Sequence, residues 1–505
     1  MTPLNSRTWP DLRIIIRDLG MLVPVVGAMA LISLVVPLVF HETYAVTPLL
    51  ITALVSFALG AILYIPFCNA GDAKLKHGMI IAAFGWLLVA ALGSLPFVLI
   101  AIFAQQNGVA SPTLLHFRDP TNAFFESISG YTGTGLTMAA HADLLPRTLQ
   151  WWRSFMEWIG GMGVIVLMLT ILAGPRPGAA TYSLYYAEAR GEKIHPSIVS
   201  TLRTMWWIFL LYTFVSTIIL WGAGMPIWDA LNTAMTGIST GGFSVTANSI
   251  ASYNSVAIEF ALIPIMLFGA ISFAVHYELM RGKGQVLWQD PQTRWVLIVV
   301  LMGSIFLALE NFLRIGPLQS LRDSTFQFVS AMTCTGFQTA DIGSWSSTAK
   351  LLLSAGMVFG GAAGSTAGGI KVIRMLILIK GVGWRFRKIV SPQGALVPFR
   401  IGAKAIDEAE VGHRLEDASL ITFLWLSFLA LGVIVLLHTT SHEFSLADVF
   451  FEVASAQGNV GLSTGLTSPT MPTLSKLALS FNMWIGRLEI IPVLMFIRFL
   501  FFGIQ

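Results

Sequence analysis

Charged side chains are scarce in this chain. Of its 505 residues only 11% are Asp, Glu, Lys or Arg, 55% are hydrophobic, and the mean hydropathy is +0.74. Soluble domains carry about a quarter charged residues, so a water-soluble globular fold is excluded. Cysteine is nearly absent: Cys68 and Cys334 lie far apart, which argues against a disulfide framework or a thiolate metal site. The phosphate-cradling pattern G-x-x-x-x-G-K-[ST] is missing, so no nucleotide is expected to bind this chain itself. His41-Glu42 and His442-Glu443 begin like a zinc-protease motif but lack the second histidine. The net charge of +4 is small, and no nucleic-acid partner is expected.

What is plentiful is apolar length. Runs near the roughly 20 residues that cross a bilayer as a helix lie at Met21–Phe40, Val46–Phe67, Met79–Ala104, Ile159–Ala173, Met205–Gly224, Ala257–Val275, Trp295–Leu309, Leu351–Val358, Leu420–Leu437 and Leu477–Phe502. The expected fold class is an all-α polytopic membrane protein. Arg7, Arg13 and Arg17 precede the first run, which reads as a retained anchor. Basic residues gather in alternate loops: Lys74 and Lys76, Arg176 to Arg203, Arg281 to Arg294, and Lys371 to Arg414. The positive-inside rule makes these loops and the N-terminus cytoplasmic.

Four segments in the other, positive-poor loops share one pattern: Asn122–Leu136, Asp229–Phe243, Asp323–Phe337 and Asp448–Leu462. They align on Gly135, Gly242, Gly336 and Gly461. Thirteen residues upstream stand Asn122, Asp229, Asp323 and Asp448; six upstream stand Ser129, Thr236, Ser330 and Ser455. Each segment sits between two apolar runs, so the chain reads as four helix–pore loop–helix repeats in a pseudo-fourfold arrangement. The repeats are 78–203, 204–290, 291–414 and 415–505, and residues 1–77 form an added hairpin of two extra N-terminal transmembrane helices.

The upstream Asn and Asp read as helix N-caps, each opening about ten residues of half-helix. Four half-helix C-termini aimed at one axis favour a cation. Irregular backbone at membrane depth is tolerated where it is buried in protein or lines a wet path. The carbonyl-bearing residues would be Thr132, Gly133, Thr134 and Gly135; Ser239, Thr240, Gly241 and Gly242; Thr333, Cys334, Thr335 and Gly336; and Gly458, Asn459, Val460 and Gly461. A ring of carbonyls replaces the water around a cation. Glycine suits the last position because a strand with every carbonyl facing the axis needs backbone angles that a Cβ disfavours.

Two features lie outside this pattern. Phe359–Gly369 contains Gly360, Gly361, Gly364, Ser365, Thr366, Gly368 and Gly369 and interrupts the third repeat's second span; broken helices often mark functional elements in transporters. Arg487 falls inside the last span, where a charge costs about 3 kcal/mol even on a mild scale. Glu489 points to another face, which leaves Glu157 or Glu452 as candidate partners. Gly237–Gly241 matches G-x-S-x-G, but Ser239 belongs to the repeat pattern and lacks a catalytic setting, so no enzyme is expected. An ion-coupled (H+ or Na+) symporter with alternating access is the rival class.

With Trp151–Leu167, Gly360–Arg374 and Gly486–Glu489, these segments resemble the Trk/Ktr/HKT superfamily of potassium transporters, on its bacterial TrkH/KtrB branch. The two extra N-terminal spans resemble the TrkH type. The resemblance implies potassium uptake across the bacterial cytoplasmic membrane through a pore in each subunit of a homodimer. It implies gating by a cytoplasmic nucleotide-binding ring of TrkA or KtrA type. It makes Gly135, Gly242, Gly336 and Gly461 the filter glycines, 359–369 an obstructing intramembrane loop, and Arg487 a barrier to cations. In plant relatives a serine at the first glycine accompanies sodium transport, so Gly135 points to potassium. Tyr182–Lys193 and the basic stretch from Lys371 to Arg414 are the candidate docking surfaces for the ring.

Overall fold

The computed structural model describes residues 9–163, 194–195, 197–392, 395, 397–402, 404–440 and 443–503. Tyr182–Lys193 and residues 164–173 of the Ile159–Ala173 run lie outside the described residues. The chain is an all-α polytopic membrane protein. Its long apolar spans include Trp9–Val39, Thr43–Phe67, Leu75–Gln106, Ile198–Gly222, Pro291–Ile315 and Glu408–Thr439. The first two pair as a hairpin against the rest. The other four each lead into a pore helix: Pro120–Thr132, Ile227–Ile238, Pro317–Met332 and Leu446–Gly458. Inner helices follow at Arg147–Met162, Val256–Ala270, Ser347–Val358 and Thr473–Arg487. A short hairpin of Phe399–Ile401 against Lys404–Ile406 joins the third and fourth repeats.

The pore helices start earlier than the sequence pattern suggests. Their N-caps are Asp119, Pro226, Gly316 and Ser445. Asn122, Asp229 and Asp448 therefore stand in the first turn, not at the cap, and Asp323 lies nearly two turns in. The local cause is proline: Pro120 and Pro317 begin their helices at a position where a missing N–H costs nothing. Ser445 and Asp448 form a reciprocal capping box.

Two of these acids, Asp229 and Asp448, have partners on inner helices. Each inner helix carries a polar residue four positions after its N-cap, at Gln150, Glu259, Lys350 and Lys476. Each of these reaches the pore helix of the next repeat, or the residue capping it. Gln150 Oε1 accepts from Trp228 Nε1 at 2.9 Å, beside Arg147 at 4.0 Å from Asp229. Glu259 takes two bonds of 2.7 Å from Arg322. Lys350 Nζ lies 2.6 Å from Asp448, and Lys476 Nζ lies 3.9 Å from Asp119. The contacts run from repeat one to two, two to three, three to four, and four back to one. They form a closed belt around the pore-helix N-termini. Acids in the first turn also favour the helix dipole.

All four inner helices are short, at 16, 15, 12 and 15 residues. The first ends at Met162 with Gly163 at φ 93°. The second turns by 111° between Val256–Ala270 and Phe273–Met280. The third gives way to the loop after Val358, and the fourth ends at Arg487. The continuous runs expected over 257–275 and 477–502 are therefore each broken, and Arg487 sits at a helix end instead of mid-helix. The fourth break contains Glu489 at φ 55° and Ile490 at φ 75°. The Ile491 N–H donates to the Glu489 carbonyl at 2.9 Å, closing a γ-turn of the rare, strained hand on a β-branched residue.

The belt gives a stability test. Glu259 is 6% exposed. Arg322→Met leaves it buried and unpaired, which costs about 3 kcal/mol or more. Thermal unfolding in detergent should show a clear drop for Arg322→Met. The double change Glu259→Met with Arg322→Met should regain most of the loss. Equal loss in both would show that the pair carries no such role.

Candidate functional site

The four glycine-ending segments meet around one axis. A Cβ built on Gly135 would fall 2.1 Å from the Gly241 carbonyl oxygen, and one on Gly242 2.0 Å from that of Thr335. One on Gly336 would fall 2.1 Å from the Val460 oxygen, and one on Gly461 2.2 Å from the Thr134 oxygen. Each glycine thus presses on the carbonyl just before the next repeat's glycine, and the fourth closes on the first. The four glycines have φ between 82° and 94°, which L side chains rarely adopt.

A second layer lies two residues upstream, and nothing in the sequence marks it. Gly133, Thr240, Cys334 and Asn459 are left-handed, with φ of 65°, 53°, 55° and 54°. Three of these are not glycine. Each ends its pore helix with a 6→1 turn. The N–H groups of Thr134, Gly241, Thr335 and Val460 donate to the carbonyls of Ser129, Thr236, Ser330 and Ser455 at 2.8 to 2.9 Å. The hydroxyl-bearing column of the repeat therefore supplies the capping carbonyls. Alternating left-handed and extended residues turn successive carbonyls toward one side.

The strand leaving the ring is held by residues nine positions before the glycine. Glu126 accepts from Thr137 Oγ1 at 2.9 Å and the Met138 N–H at 2.6 Å. Gln327 donates to Thr339 at 3.1 Å, and Glu452 accepts from Ser463 at 2.7 Å and the Thr464 N–H at 3.1 Å. Arg153 pairs with Glu126 at 2.6 Å, donates to the Ser244 carbonyl at 2.8 Å and lies 4.1 Å over the Phe243 ring. Glu157 accepts from the Phe243 N–H at 3.0 Å. These supports were missed in the sequence, although the same alignment column displays Glu126, Gln327 and Glu452.

Above the ring opens a vestibule of about 480 Å³, lined by all four glycines together with Arg153 and Gln338. Beneath it the space shrinks to about 40 Å³, lined by Trp86, Gly364, Ser365, Gly368, Arg487 and Glu489 among others. That holds only a few waters. The loop at 359–369 fills the place. Its backbone pairs with the second repeat's break: Ala362 N–H to the Ala270 carbonyl at 2.9 Å, Phe273 N–H to the Gly364 carbonyl at 3.1 Å, and Thr366 N–H to the Gly269 carbonyl at 3.2 Å. Two irregular segments thereby satisfy each other's buried polar groups. Gly360, Gly361 and Gly369 form the loop's base: Gly360 N–H donates to the Ile370 carbonyl at 3.0 Å, and Val372 N–H donates to the Gly361 carbonyl at 3.1 Å. Gly369 has φ 66°.

Arg487 reaches under the ring. It donates to the Thr366 carbonyl at 2.9 Å, the Gly160 carbonyl at 2.7 Å and the Gly161 carbonyl at 3.1 Å. Its guanidinium comes within 4.0 Å of where a Gly133 Cβ would stand. The acids weighed as partners serve elsewhere: Glu157 holds the Phe243 amide and Glu452 holds the 463–467 strand. The neighbouring Glu489 pairs with Arg374. Among the described residues, the carbonyls of the loop and of the repeat-one helix end are acceptors for Arg487.

Comparison with known proteins agrees with this architecture. Residues 48–501 match the TrkH family, described as a cation transport protein. The chain is 34% identical to an uncharacterized cation transporter of Methanocaldococcus jannaschii, over 98% of this chain and 97% of that protein. It is 31% identical to the Trk system potassium uptake protein TrkH of Escherichia coli strain K12, over 95% and 97%. The crystal structure of the potassium transporter TrkH from Vibrio parahaemolyticus superposes with a TM-score of 0.78 at 27% identity, covering 96% of this chain and 98% of that one. The chain therefore belongs to the TrkH family of cation transport proteins.

Proposed function

We propose that this chain takes up potassium across the cytoplasmic membrane through the axis of the glycine ring. The observation that carries the reading is the closed ring: four left-handed glycines, each against the carbonyl of the next repeat. Backbone oxygens so placed replace the hydration shell of a monovalent cation. The relatives named as potassium uptake proteins support potassium as that cation. In this reading Thr132 to Gly135 and their counterparts form the filter, the vestibule faces outward, and the N-terminus is cytoplasmic. The protein is a transporter, not an enzyme.

The loop at 359–369 is the gate. It closes the path by occupying the space under the ring, tied to the second repeat and to Arg487. Arg487 is the electrostatic barrier. A homodimer and a cytoplasmic TrkA-type ring that binds the nucleotide complete the assembly. The basic stretch from Lys371 to Arg414 supplies the docking face. An alternating-access symporter is the second reading, favoured by a vestibule open on one side and closed on the other. Rb+ uptake that keeps its rate when the H+ and Na+ gradients are collapsed decides for the pore.

Two substitutions test the assignment. A unit charge about 6 Å away at an effective dielectric near 20 opposes a cation by about 3 kcal/mol. Arg487→Ala should therefore raise Rb+ flux into liposomes by about tenfold or more. Unchanged or lower flux at equal protein level counts against the barrier. Gly135→Ser places a Cβ against the Gly241 carbonyl and must widen or skew the ring. Na+ should then compete with Rb+ more strongly than in the parent chain, and an unaltered competition curve removes Gly135 from the filter.

A further inference from the structure

The ring is not symmetric in its lower layer. Gly133, Thr240, Cys334 and Asn459 occupy equivalent left-handed positions, yet their side chains differ. Thr240 bonds to its neighbour's carbonyl at 2.7 Å and to Thr366 of the loop at 3.2 Å. Gly133 has no side chain. Asn459 alone of the four hydrogen-bonds through its side chain to another repeat's filter strand: Nδ2 donates to Thr134 Oγ1 at 3.0 Å. The same nitrogen donates to the Met483 carbonyl at 2.9 Å on the repeat-four inner helix. A carbonyl only accepts, so the amide nitrogen must face Met483, which fixes the orientation of the group.

The other end of Asn459 is equally particular. The residue is 1% exposed, and among the described residues its Oδ1 has no hydrogen-bond partner. A buried acceptor without a donor is costly. Oδ1 lies 3.1 Å from where a Cβ on Gly368 would stand, and that same Cβ would fall 2.3 Å from the Gly458 carbonyl. Gly368 of the loop therefore packs directly on Asn459 and on the base of the repeat-four strand.

We infer that Asn459 is a specificity-determining positioning residue that locks the seam between repeats four and one. This rests on the filter reading above. One amide nitrogen holds Thr134, whose carbonyl abuts Gly461, to the inner helix behind the ring. The Thr134 hydroxyl is itself 2.7 Å from that of Thr132, so the lock extends to the end of the repeat-one pore helix. The seam between repeats one and two has its own clamp in Arg153 and Glu157. The four-to-one seam has Asn459. Without the lock the repeat-one strand gains freedom at its closing contact, and the ring accepts a cation of another size more readily.

The test uses the full chain reconstituted in liposomes, with Rb+ uptake measured against increasing Na+. Asn459→Ala and Asn459→Asp are both expected to lower the Rb+ over Na+ preference by about threefold to tenfold, the factor one net hydrogen bond supplies. Asp keeps the shape and loses the donor. A wild-type ratio in Asn459→Asp would show that shape alone matters and would overturn the proposal. Thr134→Val reads the same bond from the other side, in case the Asn459 variants aggregate. Combining it with Asn459→Ala should add little to either single loss, whereas full additivity also overturns the proposal. A parent chain that does not prefer Rb+ to Na+ sinks the filter reading itself. A selective parent with unaltered variants sinks only the role of Asn459.

Discussion

Everything at the centre of this protein depends on one contact made four times: a glycine Cα set against the carbonyl of the following repeat. The approach is so close that a Cβ would fall about 2 Å from an oxygen in every case. No side chain fits, and no side chain adopts the backbone angle comfortably. The chain closes a circle out of four separate segments by having nothing at those four positions. The supports behind the strands and the packing of the inner helices serve to keep these contacts at van der Waals limits.

Two rings of different physical character hold that circle. The outer belt is electrostatic and joins each inner helix to the next pore helix or its cap through Gln150, Glu259, Lys350 and Lys476. The inner one is steric. Gly160, Gly269 and Gly486 stand fourteen residues after their helix N-caps, and a Cβ on them would meet the carbonyls of Tyr131, Ile238 and Gln457 at 2.0, 3.0 and 1.9 Å. Those carbonyls end the pore helices. Gly360 holds the same position in the third repeat but faces Gly368 of the loop at 1.8 Å. The loop thus takes the place that a pore-helix carbonyl takes in the other three repeats. The helices then break together, and the freed backbone groups are met by one another and by Arg487.

Much of this was legible in the sequence, and the limits have physical reasons. The repeat pattern, the glycine column and the interrupted third helix could be read because glycine and small residues leave a signature. The breaks in repeats two and four could not. One falls at Ile271–Ser272, in extended backbone, and the other at Leu488–Ile490, left-handed at Glu489 and Ile490, and neither stretch holds a glycine or proline. The lower layer was hidden for the same reason, since Thr240, Cys334 and Asn459 take φ angles that tertiary contacts impose. The acids at the pattern's start were visible but misassigned. Alone, an Asp before a helical run reads as a cap; with Lys350 and Arg147 in view, Asp448 and Asp229 belong to the belt, while Asp323 bonds to Gln319 and Asn122 to the His116 carbonyl. The backbone acceptors that Arg487 meets among the described residues could not be found by searching for carboxylates.

The central claim is that a dehydrated monovalent cation sits on the axis between the four strands. Anomalous scattering from Rb+ or Tl+ diffused into crystals of the full chain addresses it directly. The expected result is a peak on the axis bounded by the carbonyls of Thr134, Gly241, Thr335 and Val460, lost when Na+ alone is present. Heavy-cation peaks confined to the vestibule or to another part of the protein, with the axis vacant, would contradict it.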